Sequence, residues 1–199
     1  MRALIITILL FSAFGLVAQP TPDNEKQQLI ALLRASLDSF AAKVNPLTEE
    51  QFFKQPDDTT WSVAQITEHL SQIEEGYLRE YFVAANTPPP ASSVILKRVT
   101  DADMLAYETS SVKTKARGTN LPLGRYKSKQ GALAILTAVR NETLSVVASA
   151  ENLRGTYSYR RKGENTYEAK DMYQHFLLLV AHMKRHTAQA ENNINVRPR

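Results

Sequence analysis

Four stretches of the chain repeat apolar residues at the spacing of an α-helix. In the first, residues 24–44, Ile30, Leu33, Leu37, Phe40, Ala41 and Val44 form one stripe, and Asn45-Pro46 ends it. The second starts at Ser62 and reads to about residue 85, before Pro88-Pro89-Pro90. Ser62 and Gln65 have the spacing of a capping box, in which a hydroxyl and an amide satisfy free N–H groups at a helix start. Trp61 precedes that cap, where an apolar side chain can staple the first turn. The third, residues 128–150, carries Leu133, Leu136, Val139, Leu144 and Val147. The fourth, residues 169–193, is most apolar from Leu177 to Val180.

Shorter signals lie between these stretches. Residues 48–53 read as a single helical turn and residues 101–107 as a short helix. Residues 151–168 are polar, with Gly155 and Gly163, and Tyr157, Tyr159 and Tyr167 alternate around basic residues, which suggests a small hairpin there. The connection over 88–127 is long for a compact domain, and such loops often lie over a site. Four amphipathic helices without strong strands predict an all-α fold, a four-helix bundle with a long connection between helices two and three.

The 199 residues suit one domain, and 43% hydrophobic residues can supply its core. The formal net charge is +4, spread along the chain with acidic neighbours rather than gathered into a basic stripe. That argues against a nucleic-acid partner. The nearest approach to a basic run is Lys113, Lys115, Arg117, Arg125, Lys127 and Lys129, read as a solvated loop or, alternatively, a surface for an anionic partner. Cysteine is absent, so disulfides, thiolate catalysis and cysteine-based zinc sites are excluded.

Met1-Arg2, an apolar run over 3–17, Ala18 and the polar turn Pro20-Thr21-Pro22-Asp23 have the three parts of a secretory signal peptide. The run is about 15 residues, short of the roughly 20 that span a bilayer. The expected division is a signal peptide at 1–18 and a domain at 19–199, with an uncleaved anchor as the alternative. Cleavage leaves an exported, periplasmic or extracellular protein without stable membrane insertion.

The candidate chemistry lies in the histidines. His182 and His186 are four apart, so both point from one helix face, where two imidazoles can converge on one ion. Leu178 and Leu179, one turn earlier, put that face toward the bundle interior. Ile66 and Ile73 do the same for His69 on the second helix. A bundle can therefore bring His69 opposite the pair and hold one divalent metal ion, zinc or nickel first, with manganese or iron as alternatives. Three imidazoles leave a fourth position open, where a water would have a lowered pKa. The competing reading makes each a core histidine with no ligand.

Further residues share these faces. His175 is about 10 Å along the axis from His182, too far for the same ion, and reads as a substrate-pocket or core residue. Arg140 lies on the apolar stripe of helix three and needs either a buried carboxylate or a substrate anion. Gln72 and Gln189, one turn from His69 and His186, are candidate outer hydrogen-bond partners of the ligands, or surface amides. Glu68 points about 100° away from His69 and is not assigned as a general base.

Several of these segments resemble DinB-like proteins. Trp61-Ser62-Val63-Ala64-Gln65-Ile66-Thr67-Glu68-His69-Leu70 resembles that family's helix-two signature. Residues 113–128, with Pro122, Gly124-Arg125-Tyr126 and Ser128, resemble its following loop. Ala132-Leu133 and Arg140-Asn141-Glu142-Thr143-Leu144 are similar to its third helix, and residues 177–189, with Ala181-His182-Met183-Lys184-Arg185-His186-Thr187-Ala188-Gln189, to its fourth. The resemblance implies a four-helix bundle, often a homodimer, with a metal on the three histidines that match the motifs, His69, His182 and His186. It also implies a small-molecule substrate, because members include thiol-dependent transferases, a thiol-dependent isomerase and proteins described as metal-dependent hydrolases. The chain departs in carrying an export signal, which separates it from cytosolic thiols. His175 also stands where an aromatic residue is expected. Two functions follow as expectations: a metal-dependent hydrolase or transferase, or a helical binding module with a structural metal.

Overall fold

The computed structural model describes residues 21–91, 95–110 and 116–195. The signal-peptide expectation at 1–18 lies outside the described residues. So do Lys113 and Lys115.

Four long helices form the body: α1 (Pro22–Val44), α3 (Val63–Ala85), α5 (Lys129–Ser149) and α6 (Met172–Asn195). Their starts follow from local chemistry. Thr21 caps α1, accepting from the Asn24 N–H at 3.3 Å, and Pro22 fits the first turn because its missing N–H would be unpaired there. Ser62 and Gln65 form the capping box at the head of α3, at 3.2 and 2.8 Å. Ser128 caps α5. The expected single turn at 48–53 is α2 (Glu49–Phe53), and the expected short helix is α4 (Asp101–Leu105), each with its own capping box.

The fourth helix starts three residues later than its apolar pattern suggested. Residues 169–171 belong instead to β3 (Thr166–Asp171), which is hydrogen-bonded on both sides. It pairs antiparallel with β2 (Tyr157–Arg161), which is the expected hairpin, and parallel with β1 (Ile95–Arg98) from the long connection. Asp171 then caps α6, accepting from the Gln174 N–H at 2.7 Å while the Gln174 side chain accepts from the Asp171 N–H. Strand and helix adjoin with no intervening loop. The sheet is a small addition to a helical bundle.

In cross-section the neighbours are α1 with α5 and α6, and α3 with α5 and α6. Cross-links give the directions. Lys43 meets Glu191, and Arg154, close before the sheet, bridges Glu25 to Asp171, so α1 and α6 run parallel. Lys26 reaches the Ala148 carbonyl and Arg140 reaches Ser36, so α5 runs against α1. The helices therefore do not simply alternate with their sequence neighbours.

The core has two apolar clusters. One gathers Leu29, Leu33, Val147, Phe176, Leu179 and Val180; the other gathers Phe40, Val44, Ile66, Leu70, Leu136 and Met183. Each such side chain, fully buried, contributes roughly 1.5–3 kcal/mol. Polar residues lie at the boundary. His182 sits between Val180 and Met183 on α6, and Arg140 reaches α1 between Leu33 and Phe40.

A buried three-histidine site

α3 and α6 run antiparallel, which sets His69 opposite the His182/His186 pair. All three side chains are buried. One ring nitrogen from each lies within 4.8 Å of the other two. His69 Nε2 and His182 Nε2 are 3.3 Å apart, and the His182 and His186 rings meet edge to face at 4.5 Å between centroids.

Two of the rings have their tautomer set from outside. His69 Nδ1 donates to the Asn120 carbonyl at 2.7 Å. His186 Nδ1 donates to Gln189 Oε1 at 2.7 Å. Each bond leaves Nε2 as the unprotonated nitrogen, and that of His69 faces His182 Nε2. Metal-bound histidines are typically held in this way, with the second ring nitrogen donating to a carbonyl or carboxylate. The His182 Nδ1 is buried and has no hydrogen-bond partner. Four-coordinate zinc with nitrogen ligands at about 2.0–2.1 Å sets them about 3.4 Å apart, close to the separation between His69 and His182. The donor set thus fits a borderline divalent ion, and among the described residues no carboxylate joins the group.

Burial holds all three imidazoles below the ordinary histidine range. His186 falls to about 4, from burial and then the neighbouring His69. His182 falls well below its usual value for the same kind of reason, with both other histidines beside it. His69 is lowered by burial, with the Asn120 bond partly opposing. At neutral pH the rings are uncharged, the form in which imidazole ligates a metal.

Aromatic walls enclose the cluster. The Trp61 ring lies near-parallel to His186 at 6.5 Å and tilted against His69 at 5.0 Å. Its carbonyl accepts from Asn193 Nδ2 at 2.8 Å. Tyr107 stacks on His182 at 5.8 Å, and the Arg185 guanidinium lies over the Tyr107 ring, 5.1 Å from its centroid, and donates to the Tyr107 carbonyl. The segment after α4 is thus fastened to α6 beside the histidines, as expected of the long connection.

Three site expectations need revision or placing. Arg140 is not an anion clamp. Its guanidinium is fully buried and bidentate with Glu74, at 2.5 and 2.9 Å, and donates also to Ser36 and to the Leu33 carbonyl. An ion pair so enclosed leaves nothing for a substrate. His175 is buried in the first core cluster, stacked on Tyr77 at 4.1 Å, with Nε2 donating to the Tyr77 carbonyl. Burial, then the charge of Lys170, pushes it down to about 3. Gln72 touches the following loop rather than a histidine. Its amide donates to the Leu121 carbonyl at 3.3 Å and accepts from Arg125 at 2.6 Å.

Glu68 has an unforeseen place. Its carboxylate is almost wholly buried and accepts from the Gly124 N–H at 2.8 Å, the Arg125 N–H at 3.3 Å and Arg125 Nε at 2.6 Å. Burial pushes the acid up, and these donors outweigh it and hold it below the ordinary value. Trp61, Tyr107 and Asn120 were also missed as site residues. Trp61 carried a signal, since it directly precedes the cap, about two helical turns before His69; the Asn120 carbonyl carried none.

The sequence profile of the DinB superfamily matches residues 32–190. Among solved structures, the chain is similar to YfiT from Bacillus subtilis, described as a probable metal-dependent hydrolase with an unusual four-helix bundle topology. That match has 16% identity and a TM-score of 0.57 and covers 87% of each chain, a likeness of fold. No curated protein matches the sequence.

Proposed function

Because this chain belongs to the DinB superfamily, we propose that it binds one divalent metal on His69, His182 and His186 and uses it to transform a small molecule by hydrolysis or group transfer. The observation that carries this reading is the convergence of three imidazoles, two with their outer nitrogens already committed to Asn120 and Gln189. The ion is zinc or nickel by ligand type, with manganese and iron as alternatives. YfiT, described as a probable metal-dependent hydrolase, supports the hydrolase class.

A bound divalent ion supplies Lewis-acid chemistry, polarising a substrate oxygen or acidifying a water. The chain's own part is positional. Asn120 and Gln189 fix the ring tautomers, Trp61 and Tyr107 wall the site, and burial keeps the imidazoles neutral. We place the mature protein outside the cytosol, on the signal-like pattern of residues 1–18, which favours hydrolysis over transfer to a cytosolic thiol. The homodimer reading rests on the family precedent.

One observation favours a second reading, a binding module with a structural metal. The carboxylate nearest in sequence, Glu68, is fully engaged with the loop and unavailable as a general base.

Elemental analysis of residues 19–199, made without a histidine tag, tests the site beside a His182→Ala, His186→Ala double variant. About one metal per chain in the first and none in the second supports it. A protein left empty after incubation with zinc, nickel and manganese overturns it.

A further inference from the structure

We propose that Glu68 is a positioning residue of the histidine site: it fastens the 118–126 loop to α3 so that the Asn120 carbonyl holds the Nδ1 proton of His69 and turns Nε2 toward the other two imidazoles.

The geometry runs along a single face of α3. Glu68, Ser71 and Gln72 stand at i, i+3 and i+4, so they form a stripe beside His69 rather than on its line. Each binds the same loop. Glu68 accepts two backbone N–H groups and the Arg125 side chain. Ser71 Oγ, itself donating to the Thr67 carbonyl, accepts from Tyr126 at 3.0 Å. Gln72 bridges Leu121 and Arg125. Of the three, only Glu68 brings a charge.

The loop is shaped for one register. Gly118 has φ +58° and Gly124 has φ +70°, a backbone conformation that side-chain-bearing residues rarely adopt. Between these glycines a 3-10 turn over Gly118–Asn120 aims the Asn120 carbonyl at His69. A carbonyl on a loop has no helix to hold it, so its aim depends on what anchors the loop. Glu68 anchors it four residues after Asn120, at the second glycine. The adjacent positions 68 and 69 thus work as a pair, one gripping the loop and the other using it.

This rests on the metal-site reading for its affinity readout alone. The tautomer readout stands without it. The test takes the mature protein, metal-free, and records His69 by nitrogen-15 NMR, then measures zinc affinity by chelator competition. In the unaltered protein His69 is held as the Nδ1–H tautomer. In Glu68→Ala it becomes a mixture and zinc binds about 10–100-fold more weakly, the scale of losing an outer hydrogen-bond partner. The His186 signals stay unchanged, because Gln189 holds that ring independently. Glu68→Gln, which keeps the shape and one acceptor oxygen, recovers part of both effects.

A folded Glu68→Ala protein with an unaltered His69 tautomer overturns the proposal. If that variant does not fold, Glu68→Gln decides by the same NMR readout, and an unshifted His69 overturns it. If the unaltered protein binds no zinc, the metal reading falls and the His69 tautomer alone decides.

Discussion

Gln189 lies three residues after His186 on α6 and accepts its Nδ1 proton at 2.7 Å. The amide oxygen is therefore part of how that ring presents Nε2. Gln189→Leu leaves the ring free to turn or to switch tautomer, and metal affinity is expected to fall about 10–100-fold. Gln189→Glu supplies a carboxylate acceptor and raises it. Chelator competition measures both. Equal affinities in all three proteins would show that the contact is incidental.

The Glu74–Arg140 pair gives a stability prediction. Both side chains are fully buried. Arg140→Met leaves a buried carboxylate without its cation and is expected to cost about 3–5 kcal/mol in urea unfolding. Adding Glu74→Leu restores most of the loss, because the second variant removes the stranded charge. Metal content stays constant through the series, which separates this pair from the histidines.

Acid sensitivity follows from His175. Its folded value is pushed down to about 3, below the unfolded value of about 6.5, so the unfolded chain binds more protons in between. Its contribution is fully present above about pH 6.5 and is lost as pH falls toward 3. His175→Phe keeps a ring against Tyr77 and removes the proton. The slope of unfolding free energy against pH between 4 and 6 is then expected to fall by about one proton. An unchanged slope would mean that His175 is not buried neutral in solution.

Trp61 is the sole tryptophan and lies against two of the three histidines. Its fluorescence should change on adding zinc, saturating at one equivalent. The change should vanish in His186→Ala, and a response surviving there would place the ion elsewhere.

Much of this could be read in the sequence where a repeat or a cap wrote it there. Helical spacing placed the apolar stripes of α1 and α5, and put His69, His182 and His186 on interior faces. The Ser62–Gln65 box located the start of α3 to the residue. Arg140 was narrowed to two explanations, and only a structure could supply Glu74 from another helix. Residues 169–171 continued a helical pattern, yet pairing with β1 and β2 claimed them for a strand. That contest is decided by partners about ten and seventy residues away, which local periodicity does not see. Asn120 was the least legible, because its contribution is a main-chain carbonyl that any residue type would carry.

The histidine site joins positions 69, 182 and 186, and α6 is the last helix among the described residues. A growing polypeptide that has not yet reached α6 owns one of the three histidines and has no use for an ion. On the proposed metal site, an ion can be held only after α6 has packed against α3, so metal uptake follows folding of the bundle rather than guiding its first steps.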